Sequence, residues 1–195
     1  MGKRYQDSII LEEGNRVGVV GGGPAGSLFS YFLLLFAERS GRDIQLDIYE
    51  PRAFEQPGSA GCNMCGGIIS ESLVQSLAVE GINLPDTVVQ RGIESYVLHT
   101  ERGTGRIETP IGEKRIAAVH RGGGPRTVRE AKWESFDAHL LKLAIAQGAN
   151  HCAARVSELG WYGDKPQAKV KGQPPQTYDL LVGAVGMNSP DLALF

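Results

Sequence analysis

The 195-residue chain carries 20 basic and 22 acidic side chains, a formal net charge of −2, and 42% hydrophobic residues. That balance supports the core of one domain or slightly more, and it excludes a disordered tail, a membrane bundle and a general nucleic-acid binder. Glycine is in excess, 26 of 195 residues against a usual share of about 7%, without the Gly-X-Y period of collagen.

In chain order, the N-terminus comes first. Met1-Gly2-Lys3-Arg4 lacks the apolar stretch of a signal peptide. The first strong unit lies over residues 16–50. Val17, Val19 and Val20 predict a strand over 16–21, buried on both faces. A glycine turn follows, then a helix on which Ala25, Leu28, Phe29, Phe32, Leu33 and Phe36 recur at helical spacing. Its apolar run, around 29–37, falls short of the roughly 20 residues that span a bilayer. Ser40-Gly41 ends the helix, since glycine tolerates the left-handed position past a helix end. Residues 44–50 alternate apolar and polar as a second strand, so strand, helix and strand predict a parallel pair.

Residues 52–67, rich in Gly, Pro and Ser, predict an ordered loop. A short helix is expected over 70–79, with Ser70 as N-cap and Leu73, Val74 and Leu77 inward. Stretches 93–99, 105–109 and 115–119 alternate like strands of an antiparallel sheet. Residues 121–132 read as a basic, glycine-rich loop. A second clear helix is expected over 133–147, with Phe136, Leu140, Leu141 and Ala144 on one face and Gly148 past its end. Further strands are expected over 150–159 and 167–171, around 160–166. A last buried strand over 178–185 runs into Gly186.

Gly21-Gly22-Gly23-Pro24-Ala25-Gly26 satisfies G-x-G-x-x-G between a strand and a helix, the context its mechanism requires. Gly21 permits the tight turn, Gly23 lets a pyrophosphate approach the backbone, and Gly26 lets helix and strand pack closely. The helix start then offers free N–H groups and a positive dipole end to the phosphates. Glu50 follows Gly26 by 24 positions (50 − 26), close to the spacing of about 20 at which an acidic residue hydrogen-bonds a ribose hydroxyl.

Other signals are weaker. Cys62-Asn63-Met64-Cys65 is a C-x-x-C, but zinc needs a second ligand pair, and His151-Cys152 does not repeat the spacing. No metal site is therefore expected. A redox pair that exchanges electrons with a flavin, pocket lining, and small buried loop residues stay open as readings of Cys62 and Cys65. Cys152 is expected in the core of a strand. Residues 102–132 hold eight basic and three acidic side chains, a local excess of +5. That excess suits either a face for a phosphate-bearing substrate or a solvated hairpin and loop. His99, His120, His139 and His151 form no triad or metal signature.

Three segments, together with the glycine loop, resemble FAD-binding monooxygenases and reductases. Gly22-Gly23-Pro24-Ala25-Gly26-Ser27 is similar to their first loop, and Ser135-Phe136-Asp137-Ala138-His139-Leu140-Leu141 with Ala144, Gly148 and Ala149 to their FDxxLLxxAxxxGA helix. Asp179-Leu180-Leu181-Val182-Gly183-Ala184-Val185-Gly186 resembles their second flavin motif, and Cys65-Gly66-Gly67 the Cys-Gly-Gly of the geranylgeranyl reductase group within the p-hydroxybenzoate hydroxylase-like fold. Two positions depart from the pattern. Val185 stands where the second motif has an aspartate, and Trp133 where an arginine usually precedes Phe-Asp; Arg121, Arg126 and Arg129 are the nearby substitutes.

The resemblance implies an α/β fold: a Rossmann-type parallel sheet binding FAD, interrupted by part of an antiparallel substrate-domain sheet. Residues 1–83 and 121–195 would form the two parts of the FAD domain and 84–120 the start of the substrate domain. The cofactor set it implies is Gly21, Gly23, Pro24, Ala25, Gly26, Glu50, Arg52, Gly183 and Gly186, with Cys65, Gly66 and Gly67 at the substrate pocket. It implies an oxidoreductase that delivers hydride to a carbon–carbon double bond of an isoprenoid or other apolar substrate, with NAD(P)H as a donor. The alternatives are a dithiol–disulfide flavoprotein using Cys62 and Cys65, and a non-catalytic partial nucleotide-binding domain. A cytoplasmic protein is expected, touching membrane only through a lipid substrate and binding no nucleic acid. Related reductases continue past the second flavin motif, so a truncated chain, or half of a split protein completed by a second chain, is expected.

Overall fold

The computed structural model describes residues 10–55, 66–108, 116–122, 134–186 and 189–195. The chain divides into two compact units, Met1–Pro51 with Leu140–Phe195, and Arg52–His139.

The first unit is built on a parallel sheet. β1 (Arg16–Val20), β2 (Gln45–Tyr49), β8 (Asn150–Cys152) and β12 (Leu180–Gly183) lie in the order β12-β1-β2-β8. Every pairing is parallel, with Gly18 level with Asp47 and Leu181, and Tyr49 level with Cys152. Val17, Val19 and Ile48 are wholly buried, as a strand covered on both faces requires. α1 (Pro24–Arg39) packs on β1 and β2. On the other face, period 2 presents Val20, Tyr49, Cys152 and Leu181, which meet Val156, Ala168 and Tyr178 in one core cluster. The covering layer is a second sheet of β9 (Val156–Tyr162), β10 (Lys165–Val170) and β11 (Gln176–Thr177), all antiparallel. Its tight turn lies at Gly163, in the left-handed region, and Pro166 is already within β10.

α1 departs from the sequence reading in one respect. Its buried residues are Gly26, Ser27, Ser30, Leu34 and Ala37 rather than the aromatic stripe, and Phe36 is 53% exposed. The reason is distance. A Cβ on Gly26 would lie 1.9 Å from the Gly21 carbonyl oxygen, so only small side chains fit at the start of the helix. The hydroxyls of Ser27 and Ser30 turn back onto the carbonyls of Gly22 and Gly26, at 2.8 and 2.7 Å, and so bury without an unmet hydrogen bond. The displaced aromatics pair with each other, Tyr31 edge-on to Phe32 and Phe32 stacked on Phe36.

The second unit contains an antiparallel sheet of β3 (Ile68–Ile69), β7 (Ile116–Val119) and β4 (Val89–Ile93), in that order. α2 (Glu71–Val79) packs on β7, and the Ser70 hydroxyl caps it by accepting the Leu73 N–H. The stretch expected as one strand over 93–99 is the end of β4 followed by β5 (Ser95–Thr100). β5 pairs with β6 (Gly103–Glu108) as a separate hairpin. α3 (Phe136–Ala146) begins in this unit and ends in the first. Phe136, Leu140, Leu141 and Ala144 are buried on it, as the spacing predicts. No helix among the described residues is long and apolar enough to cross a membrane.

Candidate functional site

The C-terminal ends of β1 and β12 carry the two glycine segments, and the backbone brings them together. Three of the first segment's glycines are required by packing. A Cβ on Gly21, whose φ is +108°, would lie 2.6 Å from the Ala184 carbonyl oxygen; one on Gly22 would lie 2.7 Å from Glu50 Cβ. Gly26 meets Gly21 itself. Gly23 is different: no atom of a described residue lies within 4 Å of a Cβ built there, and its φ is −67°. Neither packing nor backbone conformation among the described residues calls for glycine at this position.

Gly23 is also the N-cap of α1, with no side-chain cap, Pro24 follows at the first helical position, and no acidic residue occupies the first turn. The Gly21 N–H donates to the Tyr49 carbonyl, the Gly22 N–H to Glu50 Oε2, and the Ser27 N–H to the Gly23 carbonyl. Among the described residues, nothing accepts from the N–H of Gly23, Ala25 or Gly26. These three amides thus stand at the positive end of a 16-residue helix, beside open space at Gly23. Such helix starts suit anions.

Glu50 is 2% exposed. Its Oε2 accepts the Gly22 N–H at 3.0 Å, its own N–H donates to the Cys152 carbonyl, and its carbonyl meets His151 Nε2 at 2.9 Å. Ser27, which sequence reasoning left out of the site, holds the opposite side of the same peptide through the Gly22 carbonyl. The signal for it was there: a serine directly after the third glycine, on a face too tight for larger residues.

At the second segment, Gly186 is open, but the space over Gly183 is filled by the Phe195 ring, 2.8 Å from a Cβ built there. Val185 packs against the core cluster. A polar group could not take its place there without desolvation.

The remaining expected residues lie in the second unit. The Arg52 guanidinium stacks over Phe54, 4.8 Å from its centroid, and Phe54 is buried at a φ of +56°, rare for a bulky residue. Gly66 and Gly67 both have positive φ; a Cβ on Gly67 would lie 2.1 Å from the Val119 carbonyl oxygen, while Gly66 is open. Cys62, Cys65, Trp133, Arg126 and Arg129 lie outside the described residues. Arg121, one of the three candidate substitutes for the arginine before Phe-Asp, grips buried Asp137 through Nε and Nη2, both at 2.7 Å, and the Gly122 N–H donates to the same carboxylate. His120 is buried, and its Nε2 has no hydrogen-bond partner among the described residues. Among the described residues no cluster of His, Cys, Asp and Glu could hold a metal.

A polar network closes the other end of the same sheet. Asp47 Oδ2 accepts from Tyr178 O–H at 2.9 Å and Arg16 Nη2 at 3.1 Å, and its Oδ1 from Asn150 at 2.7 Å. With its proton so committed, Tyr178 accepts from Tyr49 O–H at 2.6 Å. Burial raises the pKa of Tyr178 far above the phenol range, and the Asp47 charge and its hydrogen bond add to it. Burial likewise raises that of the Cys152 thiol, with Asp47 adding to it and Arg16 opposing. Arg16, Asp47, Tyr49, Asn150 and Cys152 border an open cleft of about 410 Å³.

No family model matches the chain, and no curated protein matches it. Solved structures do. FqzB superposes with a TM-score of 0.62 over 93% of this chain and 38% of its own, at 16% identity. The halogenase PltM in complex with phloroglucinol and FAD gives 0.55 over 92% and 36%, at 15% identity. The Diels-Alderase PyrE3 of pyrroindomycin biosynthesis gives 0.54 over 88% and 32%, at 18% identity. Identities this low speak for the fold alone. The chain has an α/β fold built on a parallel sheet, similar to that of the FAD-bound halogenase, and spans about a third of the length of these chains.

Proposed function

We propose that this chain is the dinucleotide-binding part of an FAD-dependent oxidoreductase. The observation that carries the reading is the opening at Gly23, with three uncommitted amides around it and no acidic side chain in the helix's first turn. The residues fit a diphosphate: Gly23, Ala25 and Gly26 would bind its oxygens, and Pro24 would set the helix start. Glu50 and Gly186 would lie toward the ribose and the flavin side, with Arg52, Gly183 and the Cys65-Gly66-Gly67 stretch assigned by resemblance. FAD bound there would supply hydride chemistry, and the protein would orient the ring and exclude water.

The substrate reading follows the same resemblance: a carbon–carbon double bond in an isoprenoid or similar apolar molecule, with NAD(P)H as electron donor. The test is direct. Purified protein mixed with FAD is expected to retain one flavin per chain after gel filtration, and Gly23→Val to retain none while its melting temperature stays within about 2 °C of the parent. Failure of the parent to take up flavin overturns the reading.

A second reading has its own observation. β5 and β6 place Tyr96, Leu98 and Ile107 on one face of the hairpin, 39%, 51% and 56% exposed. That face favours a nucleotide-binding part that works only beside further polypeptide. Such a chain binds FAD but does not turn over by itself.

A further inference from the structure

We infer that Glu50 and Ser27 are positioning residues that clamp the Gly22 peptide and thereby aim the open amides at a diphosphate; the inference rests on the dinucleotide reading above. Gly22 has one N–H and one carbonyl, and a buried side chain holds each, Glu50 on one side at 3.0 Å and Ser27 on the other at 2.8 Å. Glu50 and Ser27 are 2% and 0% exposed.

Three glycines in succession form the most mobile backbone a chain can have, and fixing them costs more conformational entropy than fixing any other residues. Unclamped, that cost falls on ligand binding. Clamped, it is met during folding, and the ligand meets amides already in place. The clamp also explains an otherwise awkward choice. A carboxylate beside an anion site opposes the anion by its charge, yet a buried carboxylate is the strongest acceptor for a backbone N–H. Geometry therefore accounts for Glu50 better than charge does. Its own backbone is anchored to β8 at both ends of the residue, by the N–H to the Cys152 carbonyl and the carbonyl to His151. The parallel sheet thus reaches the loop through one side chain.

The clamp separates charge from geometry in a set of variants. Ser27→Ala removes one jaw, Glu50→Leu the other, and Glu50→Gln keeps an acceptor oxygen while removing the charge. Two measurements apply: backbone ¹⁵N order parameters of residues 22, 23, 25 and 26 without ligand, and dissociation constants for FAD and for inorganic pyrophosphate. The parent is expected to show order parameters near the rigid value of about 0.85, falling below about 0.6 in Ser27→Ala and Glu50→Leu. Both variants are expected to bind FAD and pyrophosphate about tenfold more weakly, and the double variant less weakly than the product of the two, since both act on one peptide. Glu50→Gln is expected to keep the loop rigid and bind pyrophosphate more tightly than the parent.

Unchanged order parameters in ligand-free Ser27→Ala and Glu50→Leu overturn the clamp, as does a Glu50→Gln protein that matches Glu50→Leu in both measurements. Order parameters of β10 report whether each variant is folded, and Ser27→Ala, which loses only a hydroxyl, serves if Glu50→Leu is not. A parent that binds no FAD overturns the dinucleotide reading, while the ligand-free order parameters still decide the clamp.

Discussion

Val185 stands where the flavin motif that its segment resembles has an aspartate, and its side chain packs on the cluster of Val20, Tyr49 and Tyr178. An aspartate placed there would meet that cluster. Val185→Asp is expected to cost about 1–2 kcal/mol, through burial of an unpaired polar group, and to leave FAD affinity no better. Thermal unfolding and a flavin titration check both halves; a tighter complex at unchanged stability contradicts the packing argument. At this same scale the sequence was informative where one residue type has one physical use. Gly21 and Gly26 could be read because turn and packing each demand glycine. Ser27 and the burial of Glu50 could not, because their hydrogen bonds run to a backbone whose path is set by tertiary packing.

Among elements, β1 and β12 were legible from their largely apolar runs, as strands covered on both faces show, and β2 from its alternation of apolar and polar residues. α1 was legible as a helix, but its inner face was not. The spacing of large apolar residues marks a contact surface only where the partner leaves room, and the Gly26–Gly21 approach leaves none. β4 and β5 merged in the sequence because Glu94, a single residue, separates them. The Tyr49–Tyr178–Asp47 network was illegible for another reason: its two tyrosines, one on β2 and one between β11 and β12, are 129 positions apart in sequence and meet only in the folded chain. It has a measurable signature. Tyr178 keeps its proton in the folded state above its ordinary pKa of 10.0, whereas in the unfolded chain it ionises there. Rising pH thus favours unfolding, and the stability that Tyr178 contributes is intact below about pH 10 and declines above it. Melting temperatures from pH 8 to pH 11 are expected to drop beyond pH 10 in the parent and to drop less in Tyr178→Phe. A parallel decline in both proteins contradicts the assignment.

On the scale of the whole molecule, the two units differ in what they complete. The first has a parallel sheet covered by α1 on one side and an antiparallel layer on the other. In the second, the β5–β6 hairpin pairs with no other strand among the described residues, and two-stranded ribbons are marginal in water. An apolar face with open edges is the kind of surface on which chains associate. The parent is expected to associate with rising concentration by light scattering, and Leu98→Lys with Ile107→Lys to abolish this with the flavin titration unchanged. Association that persists in the double variant places the sticky surface elsewhere.

The narrow face of α1 has a consequence for how such a site can change. Between helix and sheet there is only the thickness of Gly26, Ser27, Ser30, Leu34 and Ala37. That layer works as a shim: adding a methylene at Ser30, which touches no ligand, would tilt the helix and lift the amides off the strand ends. The dimensions of the ligand bay are therefore written partly in residues a full turn behind it. Redesign of the bay for a bulkier or slimmer guest has a handle there that leaves every contacting residue untouched.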